Sequence, residues 1–395
     1  MSATAKAHGL DGKLVKPDWA PLALDEVRAL LRQFPACGEP IAIETVSPRP
    51  FSAASVASTS GGSVFIKRHH RSVRDREGLL EEHRFLSHLL AHGAAVPCVF
   101  VNDAGETAIE ADEWTYEVHE TPAGVDVYRD ALSWTPFRCV GHAYSAGRTL
   151  ARLHRASEGF DAPRRKTQQL VASFTIFAAT DAAAEMDRFV GLRPALRDYL
   201  QTNNCRDEAL ELLAPFHAEL LALLPALAPL WTHNDLHASN LLWGDGSNDA
   251  RATAIIDFGL ADRTNAVHEL AQMIERNIVE WLVFVEDPAH PENVPVHLDH
   301  LAAMLDGYES VRPLSDEEAA ALVSMTALGH AEFALSETDY FLSVLHSEEK
   351  ASMACEGWLV GHARWFRSAG GRKLLDAIDR WTETRTRRSA EVRQA

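Results

Sequence analysis

One short polar segment constrains this chain more than any other feature. Trp231-Thr232-His233-Asn234-Asp235-Leu236-His237-Ala238-Ser239-Asn240-Leu241-Leu242-Trp243 is followed by Ala254-Ile255-Ile256-Asp257-Phe258-Gly259. Asp235 and Asn240 stand five apart, and Asp257 lies 17 residues beyond Asn240. Apolar β-type runs, Leu241 to Trp243 and Ala254 to Ile256, flank these polar positions. The pattern predicts a short hairpin whose two ends open on one cleft. A single Asp or Asn of this kind more often caps a turn. The joint spacing is what resists that explanation.

The rest of the chain divides around residue 120. Before it, Leu24 to Phe34 has a helical pattern closed by Pro35, and Ile41 to Val46 alternates as a strand does. Ser52 to Thr59 and Val64 to Lys67 flank Ser60-Gly61-Gly62-Ser63, a hairpin signature. A charged helix over Arg74 to His92 stops at Gly93 and Pro97. Val99 to Val101 and Trp114 to His119 are further strand candidates around a turn at Asp103 to Gly105. After Pro122-Ala123-Gly124, Ala/Leu-rich helical segments dominate: Phe137 to Arg155, Thr180 to Tyr199, Asp207 to Leu224 (kinked or split at Pro215), Val267 to Phe284, Leu298 to Tyr308, Glu317 to Leu345 and Ala351 to Phe366. The expected fold class is α+β and bilobal. A small antiparallel-sheet lobe spans 1–120, a mainly helical lobe spans 121–380, and a polar, basic, frayed tail covers 381–395.

Phosphoryl transfer to a hydroxyl needs few protein parts. One carboxylate orients the attacking hydroxyl and accepts its proton, and hard oxygen ligands hold magnesium against the phosphates. Asp235 is the candidate base; Asn240 and Asp257 are the candidate metal ligands. This motif pair resembles the catalytic and metal loops of the aminoglycoside phosphotransferase and choline kinase-like families, within the protein kinase-like fold. Those families read H-G-D-x-H-x-x-N, and here only Asn234 departs. The resemblance covers about residues 40 to 370. It implies ATP and Mg2+ as cofactors and a small-molecule alcohol as acceptor.

The first lobe offers independent parts. Lys67 ends the strand after the hairpin turn, where it would reach the α- and β-phosphates. Glu82 falls on the apolar stripe of Leu79, Leu86, Leu89 and Leu90, and a carboxylate on a buried face needs a cation. The expectation is a Lys67–Glu82 pair, with Glu81 solvated. The loop Ser47 to Ser55 has no glycine but offers Ser52 and its neighbours to phosphate. Adenine is expected against backbone groups of Glu117, Val118 and His119, with Pro122-Ala123-Gly124 as the hinge exit. The histidines, His69 and His70 included, show no metal-ligand spacing. Leu150 to His154 reads as a packing helix, and His233 and His237 as braces of the catalytic loop, with phosphate contact as the other reading of His237.

Bulk properties exclude other classes. The formal net charge of −18 argues against a nucleic-acid partner and is compatible with a cationic substrate, although plain solubility explains it as well. Five scattered cysteines without a C-x-x-C pair fit a reduced, cytoplasmic protein. Met1 to Gly12 lacks the apolar core of a signal peptide, and Ala209 to Trp231 is broken by charge and proline, so no membrane span is expected. The acids after the metal loop, Glu269, Glu275, Glu280, Glu286, Asp287, Glu332, Glu337 and Asp339, are the pool from which an amine-binding group would come. Two alternatives remain. A protein Ser/Thr kinase is disfavoured by the short segment Leu260 to Val267. A non-catalytic nucleotide-binding module is disfavoured by the joint presence of Lys67, Glu82, Asp235, Asn240 and Asp257.

Overall fold

Alternation and turn chemistry build the first lobe as a sheet. The structure, a computed structural model, describes residues 7–8 and 12–394. The signal-peptide reading of residues 1–12 therefore falls mostly outside the described residues. A short pair, β1 (Ala7–His8) with β2 (Leu14–Val15), precedes α1 (Leu24–Leu31). Then β3 (Pro40–Val46), β4 (Ala53–Thr59), β5 (Gly62–His70), β6 (Ala108–Ala111) and β7 (Trp114–Glu120) form one antiparallel sheet in the order β3-β4-β5-β7-β6. The β4–β5 turn closes at Thr59 opposite Gly62, as the Gly-Gly pair predicts. Between β5 and β6 lies α2 (Arg76–Ala91), N-capped by Asp75, whose carboxylate accepts from Gly78 N at 2.8 Å.

The strand expected over Val99 to Val101 is corrected to a single bridge, Val99 to His119. The side chain of Asn102 accepts from Ala104 N and Glu106 N, so the chain reverses there. Ala108–Ala111 is thereby delivered as the edge strand.

The second part is helical and wraps a large apolar core. In chain order it holds α3 (Val140–Ser157), α4 (Ala182–Gly191), α5 (Pro194–Leu200), α6 (Cys205–Leu221), β8 (Pro229–Thr232), β9 (Leu241–Trp243), β10 (Ala252–Ile255), β11 (Asp262–Asn265), α7 (Ala266–Ile278), α8 (Trp281–Glu286), α9 (Leu298–Glu309), α10 (Asp316–Leu328), α11 (Ala331–Ser343), α12 (Glu348–Ser352), a π-helical stretch Met353–Gly361, α13 (His362–Arg367) and α14 (Ala369–Gln394). The helix α6 runs through Pro215 unbroken. Pro215 faces solvent, while Ala209, Leu213 and Leu220 hold both halves against the core. Within the helical pattern of Glu317 to Leu345, α10 and α11 are divided at Gly329-His330. Asp316–Ser343, the single stretch among the described residues with the length and apolarity to cross a membrane, is largely interior to the protein. Where α3 meets α9, Gly147 faces Met304 O and Gly307 faces Tyr144 O so closely that a Cβ would collide with each carbonyl.

Residues 381–395, expected as a frayed tail, continue α14 to Gln394. Trp381 Nε1 donates to Asp306 at 2.8 Å, and Arg385 donates to Glu309 at 2.7 Å and to Leu314 O. These bonds dock the start of the basic segment on α9, which composition alone did not indicate.

Candidate active site

The catalytic segment is held by two small strand pairs. β8 pairs with β11, Thr232 opposite Asp262, and β9 pairs with β10 as the expected hairpin. Asp235 precedes the hairpin and Asp257 follows it, so both face one cleft, which Asn240 also lines.

Two residues in these loops carry positive φ: Asn234 (61°) and Asp257 (63°). The left-handed region is open to glycine and, next best, to Asn and Asp. This explains why Asn can stand in the middle of His233-Asn234-Asp235. Its side chain adds anchors: Oδ1 accepts from Thr232 Oγ1 at 2.7 Å, and Nδ2 donates to Leu260 O at 3.3 Å.

Glu269, in the first turn of α7, braces this loop from beneath. It is fully buried, and its oxygens accept from His233 N and Asn234 N, each at 3.1 Å. His154 Nε2 bonds the same carboxylate at 2.8 Å, and His154 Nδ1 meets Tyr308 OH at 2.7 Å. Burial alone would raise the Glu269 carboxyl, yet its bonds to His154 and to the loop hold it low. Glu269 is therefore removed from the pool of amine-binding acids, and His154 does more than pack. His233 accepts from Asp235 N at Nδ1 (3.1 Å) and donates from Nε2 to Ile256 O (2.9 Å), which fixes it as the neutral Nε2–H tautomer. It links the two loops as a brace. Burial and the charge of Arg49 push the His237 imidazole down to about 3, so it is neutral.

The Asp235 carboxylate meets three side chains, His237 among them, whose Nε2 stands 3.9 Å from Oδ1. Arg276 Nη1 contacts its Oδ1, and Asn240 Nδ2 donates to its backbone O (2.8 Å) and to Oδ2 (3.2 Å). With Nδ2 so committed, the amide oxygen of Asn240 is the atom left for a cation. Asp257 Oδ1 meets Lys67 Nζ at 2.7 Å. Burial would raise the Asp257 carboxyl, but the charge and hydrogen bond of Lys67 hold it far below the usual carboxylate range. An ionised carboxylate and an amide oxygen on one cleft are the hard donors magnesium takes.

The expected Lys67–Glu82 pair is corrected. Glu82 is buried on α2, as its stripe position required, but its neighbour is Arg165 Nη2 at 3.7 Å. Lys67 reaches across the cleft to Asp257 and feels Glu82 only through its field. Arg74 and Arg165 both donate to Gly259 O, at 2.7 and 3.0 Å, so two arginines occupy the space beside Glu82. Glu81 is also not solvated: it stands 3.8 Å from Arg165 with little side-chain exposure.

The nucleotide-side cavity, of about 1310 Å³, runs from Lys67 and Glu82 past Glu117, His119, Glu120 and Thr121 to Asp257. Val118 does not line it. Its side chain joins the sheet core and its carbonyl accepts from Phe100 N at 2.8 Å, while Glu120 N donates to Cys98 O at 2.8 Å. Backbone groups of Val118 and Glu120 are thus consumed by the sheet edge, which moves the available hinge backbone onward to Thr121. A second cavity, of about 1050 Å³, shares Lys67, Asn240 and Asp257 with the first and includes Asp235, Ser52, Arg49, Phe333 and Glu337. Ser52 lines this second cavity, whereas Ser55, with a buried hydroxyl lacking a partner, lines the first. Arg49 lines both cavities, which sequence reasoning missed. Its signal was a lone cation between two prolines in the glycine-free loop.

Of the other acids, Glu332 accepts from Ile176 N at 2.6 Å, Asp339 accepts from Gln169 Nε2 at 2.7 Å and Glu280 pairs with His297 at 2.7 Å. Glu337 alone among those named lines the second cavity.

Comparison with known proteins places these features in context. The family described as the phosphotransferase enzyme family matches residues 49–314. A homoserine kinase of Gluconobacter oxydans (strain 621H) is 26% identical over 275 residues, covering 68% of this chain and 72% of that protein. The solved microcompartment-associated aminopropanol kinase superposes with a TM-score of 0.57 at 18% identity, over 89% of this chain and 100% of that one. An amicoumacin kinase solved with AMP-PNP and Ca2+ gives a TM-score of 0.53 at 16% identity, over 86% and 96%. The shared fold is the kinase-like bilobal one.

Proposed function

The chain belongs to the phosphotransferase enzyme family, and from that premise we propose that it transfers the γ-phosphate of ATP to the hydroxyl of a small amine-bearing alcohol. Homoserine, the substrate named for curated relatives covering about two thirds of this chain, is the first candidate acceptor. In this reading Asp235 orients the hydroxyl and takes its proton as the oxygen bonds the γ-phosphorus. The bond to the bridging oxygen breaks and ADP leaves. Lys67 would bind the α- and β-phosphates, and Arg49, which lines both cavities and donates to Ser133 Oγ and Ala131 O, would counter phosphate charge. Magnesium, held by Asn240 and Asp257, would neutralise phosphate charge. Only residues 260–265 separate Gly259 from α7, and four of them form β11, so no docking platform for a peptide lies there.

The observation that carries the amine is Glu337. Its carboxyl is buried in the second cavity, Oε2 has no hydrogen-bond partner, and burial pushes its pKa up to about 8 against the pull of Arg276. A buried carboxyl in that condition gains by meeting an ammonium, which supplies both charge and donors. Glu337→Gln is expected to raise KM for the amino alcohol about tenfold or more, the worth of a hydrogen bond to a charged group, while KM for ATP stays within about twofold. In the wild type, acceptor KM should fall as pH rises through about 8 and Glu337 ionises, and the Gln variant should lose that dependence. An unchanged acceptor KM would remove the amine from this reading.

A further inference from the structure

Behind the nucleotide cavity three imidazoles converge on one buried carboxylate. His69 comes from β5, His83 from α2, and Glu117 and His119 from β7. Residues 67 and 69 share a strand face, as do 117 and 119, because side chains alternate. Lys67 pairs with Glu117 and Phe65 with His119 in the sheet register, so both faces meet under α2. His83 Nε2 stands 2.8 Å and His119 Nε2 2.9 Å from the same oxygen, Glu117 Oε2. All three groups are buried.

Two features distinguish this cluster from histidines that merely solvate an acid. First, His119 Nε2 is buried and has no aligned hydrogen-bond partner despite its closeness to Glu117. It faces the same carboxylate oxygen that His83 Nε2 approaches, so two imidazoles and one acid share a single small buried space. Second, the outer bonds are those that orient metal ligands. His83 Nδ1 meets Thr107 Oγ1 at 2.8 Å, which leaves Nε2 as its inward atom. His69 Nε2 lies 3.1 Å from the other oxygen, Glu117 Oε1, and holds the carboxylate plane. The ligand atoms of His83, Glu117 and His119 all lie within 4.8 Å of one another.

We propose that His83, Glu117 and His119 form a site for a divalent transition metal of the zinc class, with His69 and Thr107 as positioning residues. Two imidazoles and one carboxylate suit zinc or cobalt, whereas magnesium prefers oxygen donors alone. Glu117 and His119 also line the nucleotide-side cavity, which gives an ion a path in and room for a further ligand. The metal would tie α2, the helix that carries Glu82, to the strand leading into the hinge. It is distinct from the cation at Asn240 and Asp257 and does not depend on the acceptor's identity.

The test uses the full chain without a histidine tag, grown with zinc supplied. About one zinc per chain should survive gel filtration, measured by mass spectrometry. Cobalt added to metal-stripped protein should give the visible ligand-field bands of a low-coordinate nitrogen–oxygen site. Saturating zinc should raise Tm by at least about 3 °C, and excess magnesium should not compete. His83→Ala and Glu117→Gln should lose the metal and the shift, while His300→Ala, in the separate group of His297, Asp299 and His300, should keep both. Wild-type protein with no bound metal, no cobalt bands and no zinc-dependent shift would overturn the proposal without reference to any variant. So would variants that retain full metal content.

Discussion

Asp235→Asn is expected to lower kcat by about 10²- to 10⁴-fold, the usual worth of a positioned proton acceptor, and to leave ATP binding close to the wild-type value. The substitution keeps the shape of the side chain. The anchor that Asn240 makes to the backbone carbonyl of Asp235 survives, because it does not involve the carboxylate. The bonds that set the loop, from Glu269 to His233 N and Asn234 N, are equally untouched. Loss of rate with retained nucleotide affinity would therefore report the missing base and not a collapsed loop. Arg276 would lose its anionic partner, so the variant's melting temperature should be measured alongside. A variant of wild-type activity would remove Asp235 from the proposed role.

Asp257→Asn should act on a different step. Its carboxylate is held ionised by Lys67, and Asn240, whose carbonyl accepts from Ile256 N at 3.0 Å, lines the same cleft beside it. Removing the charge takes away the stronger of the two proposed cation ligands and leaves Lys67, itself nearly buried, without its counter-ion. The expected result is a weakening of magnesium-dependent ATP binding by about tenfold or more, in line with the loss of one charge-assisted contact. Titration calorimetry with and without magnesium separates the effects. In the wild type, magnesium should strengthen ATP binding; in the variant, the two titrations should nearly coincide. If magnesium leaves wild-type affinity unaltered, Asn240 and Asp257 are not its ligands.

Local signals were legible in the chain and long-range partners were not. The hairpin between β4 and β5, the hairpin between β9 and β10, and the burial of Glu82 all follow from patterns within a few residues. What Glu82 meets depends on Arg165, which lies in an irregular segment with no periodicity to betray it. The same holds for Glu269: an acid in a helix's first turn is commonplace, and only the packing of α3 against α9 and α7 brings His154 to it. Asn234 looked like a departure from the family pattern until its positive φ showed why Asn can occupy the place of Gly. His69, His83, Glu117 and His119 come from three elements, so no sequence spacing could collect them. Arg49 and Glu337 were visible as charges, but their exposure to the cavity is a property of the assembled cleft.

The central claim is that one cleft moves phosphate from ATP to a small amino alcohol. It is tested most directly by ADP formation with magnesium and ATP over homoserine, other amino alcohols, aminoglycosides, sugars and a generic protein substrate, with the phosphorylated product identified by phosphorus NMR. The expected result is ADP release that depends on an amine-bearing alcohol, is stoichiometric with an O-phosphorylated product, and is lost in Asp235→Asn. Protein that binds magnesium and ATP but forms no acceptor-dependent ADP with any of these, or that phosphorylates only the protein substrate, would contradict it.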